Sequence, residues 1–448
     1  MQFRNLTPFD ALRFSALGVD DQEYPVLAMK VGYRLMPIEG QPGRFRAEVM
    51  DDTPVPLCMA DRYYGEDGSS SVCEESDLAP FKPRCDVIVV GRAYAPLGFA
   101  APSWQAGLRL SVPVAPLQLD VPLPEPLSPG EPLNQYQLQD WQARRMAAAQ
   151  ALANAPTRRN LLDKQLRFTG PRQFKHSLFG GWQLTEPQPA LSVPLRWECA
   201  FGGSSVVRNP EHLLKPDIPE YLLNEVCYSN PLGCGWIEKR QETLGYTLDA
   251  PLRVLPAPQI EAIDTPVLHL DKAKHPDGQL DATDMLRVTS TYKYQPAGFG
   301  VVGRAWAPRL ALAGTYDEAW KTARWPGLPL DFDFSYWNGA PADQQIEFPP
   351  PNLRIELFNL TDPSLTPDGQ LCVEMPGHRP FVLLRLNNGA LLPLPLLTDT
   401  LRIDTDAMTL VLTHRISLPD GLDIRVLEAR FEIDPTAPLL KRTSQAVH

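Results

Sequence analysis

The chain has 448 residues, of which 44% are hydrophobic, and 42 basic against 53 acidic side chains give it a net charge of −11. A chain of this length and apolar content can fill about two or three folded cores, which excludes a disordered protein. Because no basic run accompanies the acidic balance, direct binding to nucleic acid is not expected.

Proline is unusually abundant, with 48 residues, roughly twice the usual share of about 5%. Proline lacks a donor N–H and is excluded from helix interiors and central strands, so many short strands joined by stiff turns are expected. The sequence therefore predicts a mainly β fold, sandwich or barrel-like, with helix in the minority.

The N-terminal stretch MQFRNLTPFDALRF lacks the basic and apolar regions of a signal peptide. No apolar run approaches the roughly 20 residues of a membrane span. The seven cysteines include no CxxC pair, and cytosolic thiols rarely pair. We therefore expect a cytoplasmic protein with no membrane partner, no bound metal and no cofactor.

The strand signals follow one another along the chain. Residues 24–50 alternate apolar and polar positions around EGQPG, which predicts a hairpin. The apolar run Val87–Val90 is typical of a strand buried on both faces. Towards the C-terminus, further strands and a hairpin are predicted in LRIELFNL (353–360), FVLLRLNNGALLPLPLL (381–397), DTLRIDTDAMTLVLTHRISL (399–418) and RVLEARFEI (425–433).

One motif occurs twice. VVGRAYAP at Val89–Pro96 reappears as VVGRAWAP at Val301–Pro308. Shared turn chemistry could explain isolated glycines and prolines, but an eight-residue match favours duplication of a structural unit. Residues that also recur, 138 positions apart, are Gly32, Gly43, Pro56, Tyr63 and Gly65 against Gly170, Gly181, Pro194, Phe201 and Gly203.

The repeat suggests three parts of the chain. Residues 1–116 form a first β unit, and residues 117–165 are a proline-rich connector with a helix over 134–152. Residues 166–448 form a second, related β unit with a long insertion at about 204–290 and the C-terminal strands. Whether the units are separate domains or share one sheet is open. In the repeated motif we interpret Gly91, Arg92, Gly303 and Arg304 as structural, with the arginines binding turn carbonyls or a buried carboxylate.

The sequence lacks two common motifs of enzyme active sites. No GxSxG elbow and no P-loop occurs. His269, Asp271 and His275 resemble a loose metal set without a fourth ligand, for which a solvated turn is the favoured interpretation. Asp331 and Asp333, beside Trp337, resemble a glycosidase subsite. Strand alternation would instead place Phe332 and Phe334 inward and both carboxylates in solvent, so we expect no enzyme.

The segment 314–345 concentrates tryptophan and tyrosine among glycines and prolines. Tryptophan and tyrosine dominate the energetics of protein interfaces, although the same residues could instead close one end of a barrel or sandwich. The candidate partner-binding residues are Tyr316, Asp317, Trp320, Trp325, Tyr336, Trp337 and Asn338.

Four blocks carry a family resemblance: ESDLAPFKPRCDVIVVGRAYAP (75–96), VPLRWECAFGG (193–203), NPLGCG (230–235) and GTYDEAWKTARWPGLPLDFDFSYWNGAPADQQ (314–345). They resemble the signature blocks of a family long described as a domain of unknown function and associated with bacterial type VI secretion. One departure is Cys234, where an arginine is commoner in the family.

The resemblance implies a non-enzymatic cytoplasmic adaptor or chaperone. Its partners would be an effector that contains or accompanies a PAAR domain and the VgrG spike onto which the effector is loaded. We expect the effector activity to reside on another polypeptide. The alternative is a carbohydrate-binding or glycoside-active β protein that uses Asp331, Asp333 and Trp337. The oligomeric state and the identity of the effector are not predicted.

Overall fold

The computed structural model describes residues 1–65, 67, 70–114, 121–126, 132–154, 157–177, 181–200, 205–208, 214, 215, 217, 221–224, 251, 252, 254–264, 280, 281, 297–304, 307–418 and 421–440. Most of the predicted insertion, the NPLGCG block, the set His269, Asp271 and His275, and Trp306 lie outside these residues.

The described residues are mainly β, as predicted. The strands are β1 Gln2–Asn5, β2 Asp10–Leu17, β3 Glu23–Pro37, β4 Arg44–Val49, β5 Arg62–Tyr63, β6 Val72–Glu74, β7 Cys85–Val90, β8 Arg92–Tyr94, β9 Ser103–Pro113, β10 Arg158–Thr169, β11 Gln173–Ser177, β12 Gly181–Leu184, β13 Ser192–Pro194, β14 Ser205–Arg208, β15 Tyr221–Asn224, β16 Pro251–Leu252, β17 Val254–Pro256, β18 Ile260–Ala262, β19 Leu280–Asp281, β20 Gln345–Ile346, β21 Arg354–Phe358, β22 Gln370–Glu374, β23 Arg379–Leu386, β24 Leu391–Pro395, β25 Leu397–Asp404, β26 Thr409–Ser417 and β27 Ile424–Glu432.

Among the described residues, helices are few and mostly short. The α-helices are α1 Gln135–Asn154, α2 Ala307–Leu310 and α3 Glu318–Ala323. Single 3₁₀ turns span Pro96–Gly98, Trp197–Cys199, Ala311–Ala313, Phe334–Trp337 and Ala342–Gln344.

A large sheet forms the body of the described protein. Its 12 strands run in the order β18-β10-β9-β21-β22-β4-β3-β26-β25-β7-β20, with β2 paired to β3 beside this path. A second sheet of four strands has the order β1-β27-β23-β24. One apolar core joins the two sheets, because Val31 and Leu108 of the large sheet and Leu384 and Leu427 of the small sheet belong to the same buried cluster.

Several predicted elements are confirmed. The hairpin over 24–50 is the antiparallel pair β3 and β4, with Tyr33 opposite Val49. All six residues of β7 are buried, as expected for a strand covered on both faces. The hairpins β23 with β24 and β25 with β26 are present, and β27 is the last described strand.

The connector helix is also confirmed and is largely exposed. α1 begins after Asn134, whose side chain accepts a hydrogen bond from Gln137 N at 2.9 Å, while Gln137 Oε1 accepts from Asn134 N at 3.1 Å. This reciprocal cap satisfies amide groups that have no partner within the helix. Within the helix, Leu138 is exposed, and Trp141 donates from its indole to Val121 O at 3.1 Å in the connector.

The two predicted units share one continuous sheet. β9 from the first range lies between β10, which runs from the connector range into the second range, and β21 of the second range, and β3 lies between β4 of its own range and β26 of the second. The pairings of the two ranges also differ, since β3 pairs directly with β4, whereas β10 pairs with β9 and β18. Apart from the two-stranded pair β5 and β6, the paired strands of residues 1–116 in the described structure belong to sheets that also contain strands from later in the chain.

The two motif copies have different backbone structure. Val89 and Val90 are in β7, and β8 follows after Gly91, whereas 301–304 contain no strand. Gly91 has φ +123°, and a Cβ there would collide with the Thr405 hydroxyl, so this turn requires glycine. The copies touch, because Val301 packs with Ile88 and Val90 of β7 in one small buried cluster.

Candidate functional site

Two of the sequence blocks described above meet around one buried carboxylate. Asp86, in β7, is fully buried. Its two oxygens accept hydrogen bonds from Lys82 Nζ at 2.8 Å, from Asn338 Nδ2 at 3.0 Å, and from the backbone amides of Gly339 at 2.9 Å and Ala340 at 3.1 Å. A buried carboxylate needs this many donors to offset the loss of water. Asp86 thus joins the block at 75–96 to the end of the block at 314–345.

A second buried ion pair lies beside it. Arg309, in α2, donates two hydrogen bonds to the Glu75 carboxylate, at 2.7 and 3.0 Å. The same guanidinium donates to Tyr336 O at 2.9 Å and to Val302 O at 2.5 Å. Burial opposes the positive charge, but Glu75 and then Asp86 outweigh this effect and raise the pKa of Arg309. This bidentate geometry holds α2 against the first block.

Arg304, in the second motif copy, also forms an ion pair with Glu75. Its guanidinium lies 3.0 Å from Asp61 and 3.3 Å from Glu75, and it stands 5.5 Å above the ring of Trp337. Arg92 of the first copy instead donates to Ser192 Oγ at 2.9 Å. The two arginines occupy the same motif position but bind different groups.

The C-terminal end of the block at 314–345 is held by Lys164. Its buried ammonium donates to Gly298 O at 2.8 Å, Asp343 Oδ1 at 2.8 Å and Gln344 Oε1 at 2.7 Å. Burial lowers the pKa of Lys164, which Asp343 only partly opposes. The Gln344 amide donates in turn to Val87 O at 2.7 Å, so the block is bonded directly to β7.

The buried charges continue beneath the first block. Lys30, in β3, forms ion pairs with Glu74 and with Asp77 at 2.6 Å. Asp77 also accepts from Thr413 Oγ1 at 2.9 Å. Arg415 pairs with Asp399 at 2.5 Å and donates to Asp77 O at 2.7 Å. These buried ion pairs therefore form a polar cluster beneath the block at 75–96, within an otherwise apolar sheet.

The opposite side of the block at 314–345 presents aromatic rings to solvent. Tyr316 and Trp325 are 54% and 70% exposed, and both contact Trp320, with ring centroids 4.6 and 5.6 Å apart. We call Tyr316, Trp320 and Trp325 the aromatic surface. Leu330 is 76% exposed in the same block.

The aromatic surface is held in place by hydrogen bonds, some within its own segment and some to a turn that is distant in sequence. Asp317 caps α3 by accepting from Trp320 N at 2.8 Å, and the Trp320 indole donates to Gly327 O at 2.9 Å. Arg324 donates to Asp21 at 2.7 Å and to Val19 O at 2.7 Å, which ties the end of α3 to the turn after β2. The peptide bond between Trp325 and Pro326 is cis. The rings therefore project from a defined scaffold.

Tyr336, Trp337 and Asn338 lie apart from this surface. Tyr336 and Trp337 are half-buried and contact each other with centroids 5.6 Å apart. Asn338 is only 3% exposed, and its amide donates to Arg84 O and Asp86. Asn338 is therefore corrected from a partner-binding candidate to an internal bridge, because it is buried and its side-chain N–H groups donate to atoms within the protein.

Comparison with known proteins assigns a family. A family model described as "Uncharacterized protein conserved in bacteria (DUF2169)" matches residues 20–118 and 141–415. The chain belongs to the DUF2169 family. No curated protein and no solved structure matches the chain. The two matched ranges include the buried charge network and the aromatic surface, and they leave out residues 119–140 of the connector.

The carboxylates Asp331 and Asp333 do not lie on a strand, but both are exposed and Phe332 is buried, as the predicted alternation required. Asp333 caps the 3₁₀ turn Phe334–Trp337 by accepting from Ser335 N at 2.8 Å. Asp331 accepts from Thr315 N at 3.0 Å and Thr315 Oγ1 at 2.7 Å, and these bonds lower its pKa. A glycosidase acid requires a raised pKa. Both carboxylates make local hydrogen bonds within their own segment.

Sequence reasoning missed the residues that position this site, namely Glu75, Lys82, Asp86 and Arg309. The available signal was the density of charge beside a strand predicted to be buried on both faces, since such charges require buried partners. In the part of the chain that the structure describes, no three or more His, Cys, Asp or Glu side chains are grouped as metal ligands. None of its helices is both long and apolar enough to span a membrane.

Proposed function

We propose that this DUF2169 protein is a non-enzymatic cytoplasmic adaptor or chaperone of bacterial type VI secretion. In this role it binds an effector that contains or accompanies a PAAR domain and assists its loading onto the VgrG spike. The proposal rests on the resemblance of the blocks at 75–96, 193–203, 230–235 and 314–345. An acidic chain with a net charge of −11 also suits association with a basic protein.

The aromatic surface is the proposed contact with the effector. The observation that supports this choice is the exposure of Tyr316 and Trp325 on a segment whose other side is held by buried ion pairs. Aromatic side chains displayed in fixed positions lose little conformational entropy on binding, and they are the residues most often found as interface hot spots. Rings that were only closing the end of a sheet would be covered.

The test is co-purification with two defined proteins, the PAAR-containing effector and the VgrG protein encoded near the adaptor gene. Wild type is compared with the double variant Tyr316→Ala and Trp325→Ala. Loss of two hot-spot rings costs about 2 kcal/mol or more, so we expect the dissociation constant for the effector to rise by roughly 30-fold or more. Both side chains are exposed, and the double variant should keep the wild-type unfolding midpoint.

The matched control is Tyr136→Ala on α1, which removes a ring that is 83% exposed and far along the chain from the aromatic surface. This control should bind as wild type does. Full binding by the folded double variant would place the contact elsewhere on the protein. Failure of the wild type to bind either the effector or VgrG would overturn the adaptor function itself.

A further inference from the structure

An apolar pocket lies between the two sheets, on the side of the small sheet away from β1. Its volume is about 250 Å³, slightly below the range of about 300–1,000 Å³ seen for small-molecule sites, which suits a small ligand. The walls come from β23 and β24 of the small sheet and from β25 and β26 of the large one. Most of the lining is hydrocarbon, including Phe348, Leu353, Met375, Leu396, Leu401 and Leu412.

One buried histidine in this wall has an unused ring nitrogen. His414 is 3% exposed, and its Nδ1 lies 3.1 Å from Thr398 Oγ1. Its Nε2 is buried and has no hydrogen-bond partner among the described residues. A buried polar atom without a partner costs about 1–3 kcal/mol, and apolar cavities tend to stay free of water. A bound molecule would remove this cost.

The guanidinium of Arg379, on the small sheet, also has a donor group without a hydrogen-bond partner. Arg379, at the start of β23, lines the pocket and donates from Nη2 to Asp434 O at 2.8 Å and to Ala437 O. Its Nε–H is buried without an acceptor, and its charge acts on Asp434, where it helps to lower the pKa, without a direct bond to that carboxylate. Asp434 is engaged by Thr436, whose amide and hydroxyl donate to it at 2.8 and 2.7 Å.

We propose that this pocket binds a small apolar molecule that carries one carboxylate. The hydrocarbon part would fill the space between the sheets, and the carboxylate would accept from Arg379 Nε–H and from His414 Nε2–H. In this assignment Thr398 donates to His414 Nδ1, which leaves the proton on Nε2. A carboxylate is the acceptor best matched to a guanidinium, and a charge-assisted bond is about twice as strong as a neutral one.

Octanoate and 1-octanol are the probes, because they share a chain and differ in the carboxylate. In isothermal titration of the full-length protein, octanoate should bind at one site with a Kd below about 1 mM, and octanol should bind at least about 10-fold more weakly. Arg379→Met should weaken octanoate to the level of octanol. Saturable binding of both probes with equal affinity, or no binding of octanoate, overturns the proposal.

A pair of leucine variants tests the location. Leu397 is 44% exposed and lines the pocket, so Leu397→Trp should fill its mouth and abolish octanoate binding. Leu391 is 45% exposed on β24 and does not line the pocket, so Leu391→Trp should bind normally. Unchanged binding in Leu397→Trp contradicts the location. Tighter binding of a short peptide with a free C-terminal leucine than of octanoate would assign the pocket to polypeptide C-termini and reject the small-molecule proposal.

Discussion

The two sides of the block at 314–345 make opposite use of their side chains. On the inner side, Asn338 and the following amides complete the coordination of Asp86, which has no solvent exposure. On the outer side, Tyr316 and Trp325 are more than half exposed. The inner contacts fix where the segment lies, whereas no described contact beyond their own cluster uses the outer rings. The residues that position the block therefore differ from those proposed to contact the effector.

The comparison also explains why charges occur beneath an apolar sheet. Isolated buried charges are expensive, but paired and hydrogen-bonded ones are tolerated. Burial disfavours the ammonium of Lys82, yet Asp86, Asp399 and Glu75 together raise its pKa. Such pairs add little net stability compared with apolar residues, but they are specific, because each cation accepts only a correctly placed carboxylate. They can therefore fix the register between two segments that are distant in sequence.

The largest expected effect on stability comes from removing the Asp86 carboxylate, at the centre of the inner contacts. Asp86→Ala leaves Lys82 buried without its partner and removes the acceptor of three further N–H groups. Removing one member of a buried pair costs about 3–5 kcal/mol. Urea unfolding should show this decrease in the free energy of unfolding. Asp333→Ala, which removes an exposed cap, should cost about 1 kcal/mol or less. Equal effects in the two variants would refute the division between the sides.

A smaller and more selective effect is expected at Glu75, which pairs with two arginines. The Arg309 side chain is 5% exposed, and the Arg304 side chain is 29% exposed. Arg309→Met should cost about 3 kcal/mol, because it removes the bidentate bond and the bonds to two carbonyls. Arg304→Met should cost less than about 1 kcal/mol, since its charge is partly solvated. Thermal and urea unfolding measure both, and a larger loss for Arg304→Met would contradict the burial argument.

Local sequence patterns were sufficient for several of the long strands. The alternating run at 24–50 and the apolar run at Val87–Val90 are signals that act within a few residues, and both elements formed as predicted. These local signals could not predict which strands pair with each other across the sheet. The contact of β9 with β21 joins residues about 250 positions apart, with Arg354 opposite Ser111, and a local pattern carries no information on such a partner.

The candidate site was predicted in part, for a related reason. Aromatic residues among glycines and prolines pointed to Tyr316, Trp320 and Trp325, which do form one cluster. Asn338 follows the same aromatic run, but a polar residue there has the same sequence context whether it faces solvent or a buried carboxylate. Only the position of Asp86, more than 250 residues earlier in the numbering, decides between these two states.

The smallest expected effect links the two sides through Asp317. Its carboxylate caps α3 at Trp320 N, so Asp317→Ala should lower the free energy of unfolding by about 1 kcal/mol or less, as for other N-caps. Because Tyr316 and Trp320 lie on either side of this cap, the variant should also weaken effector binding by a few fold. Glu318→Ala, which removes the next acidic side chain from the same first turn, should leave binding unchanged. If both variants bind as wild type does, the ordering of α3 does not contribute to recognition, and the exposed rings act without their cap.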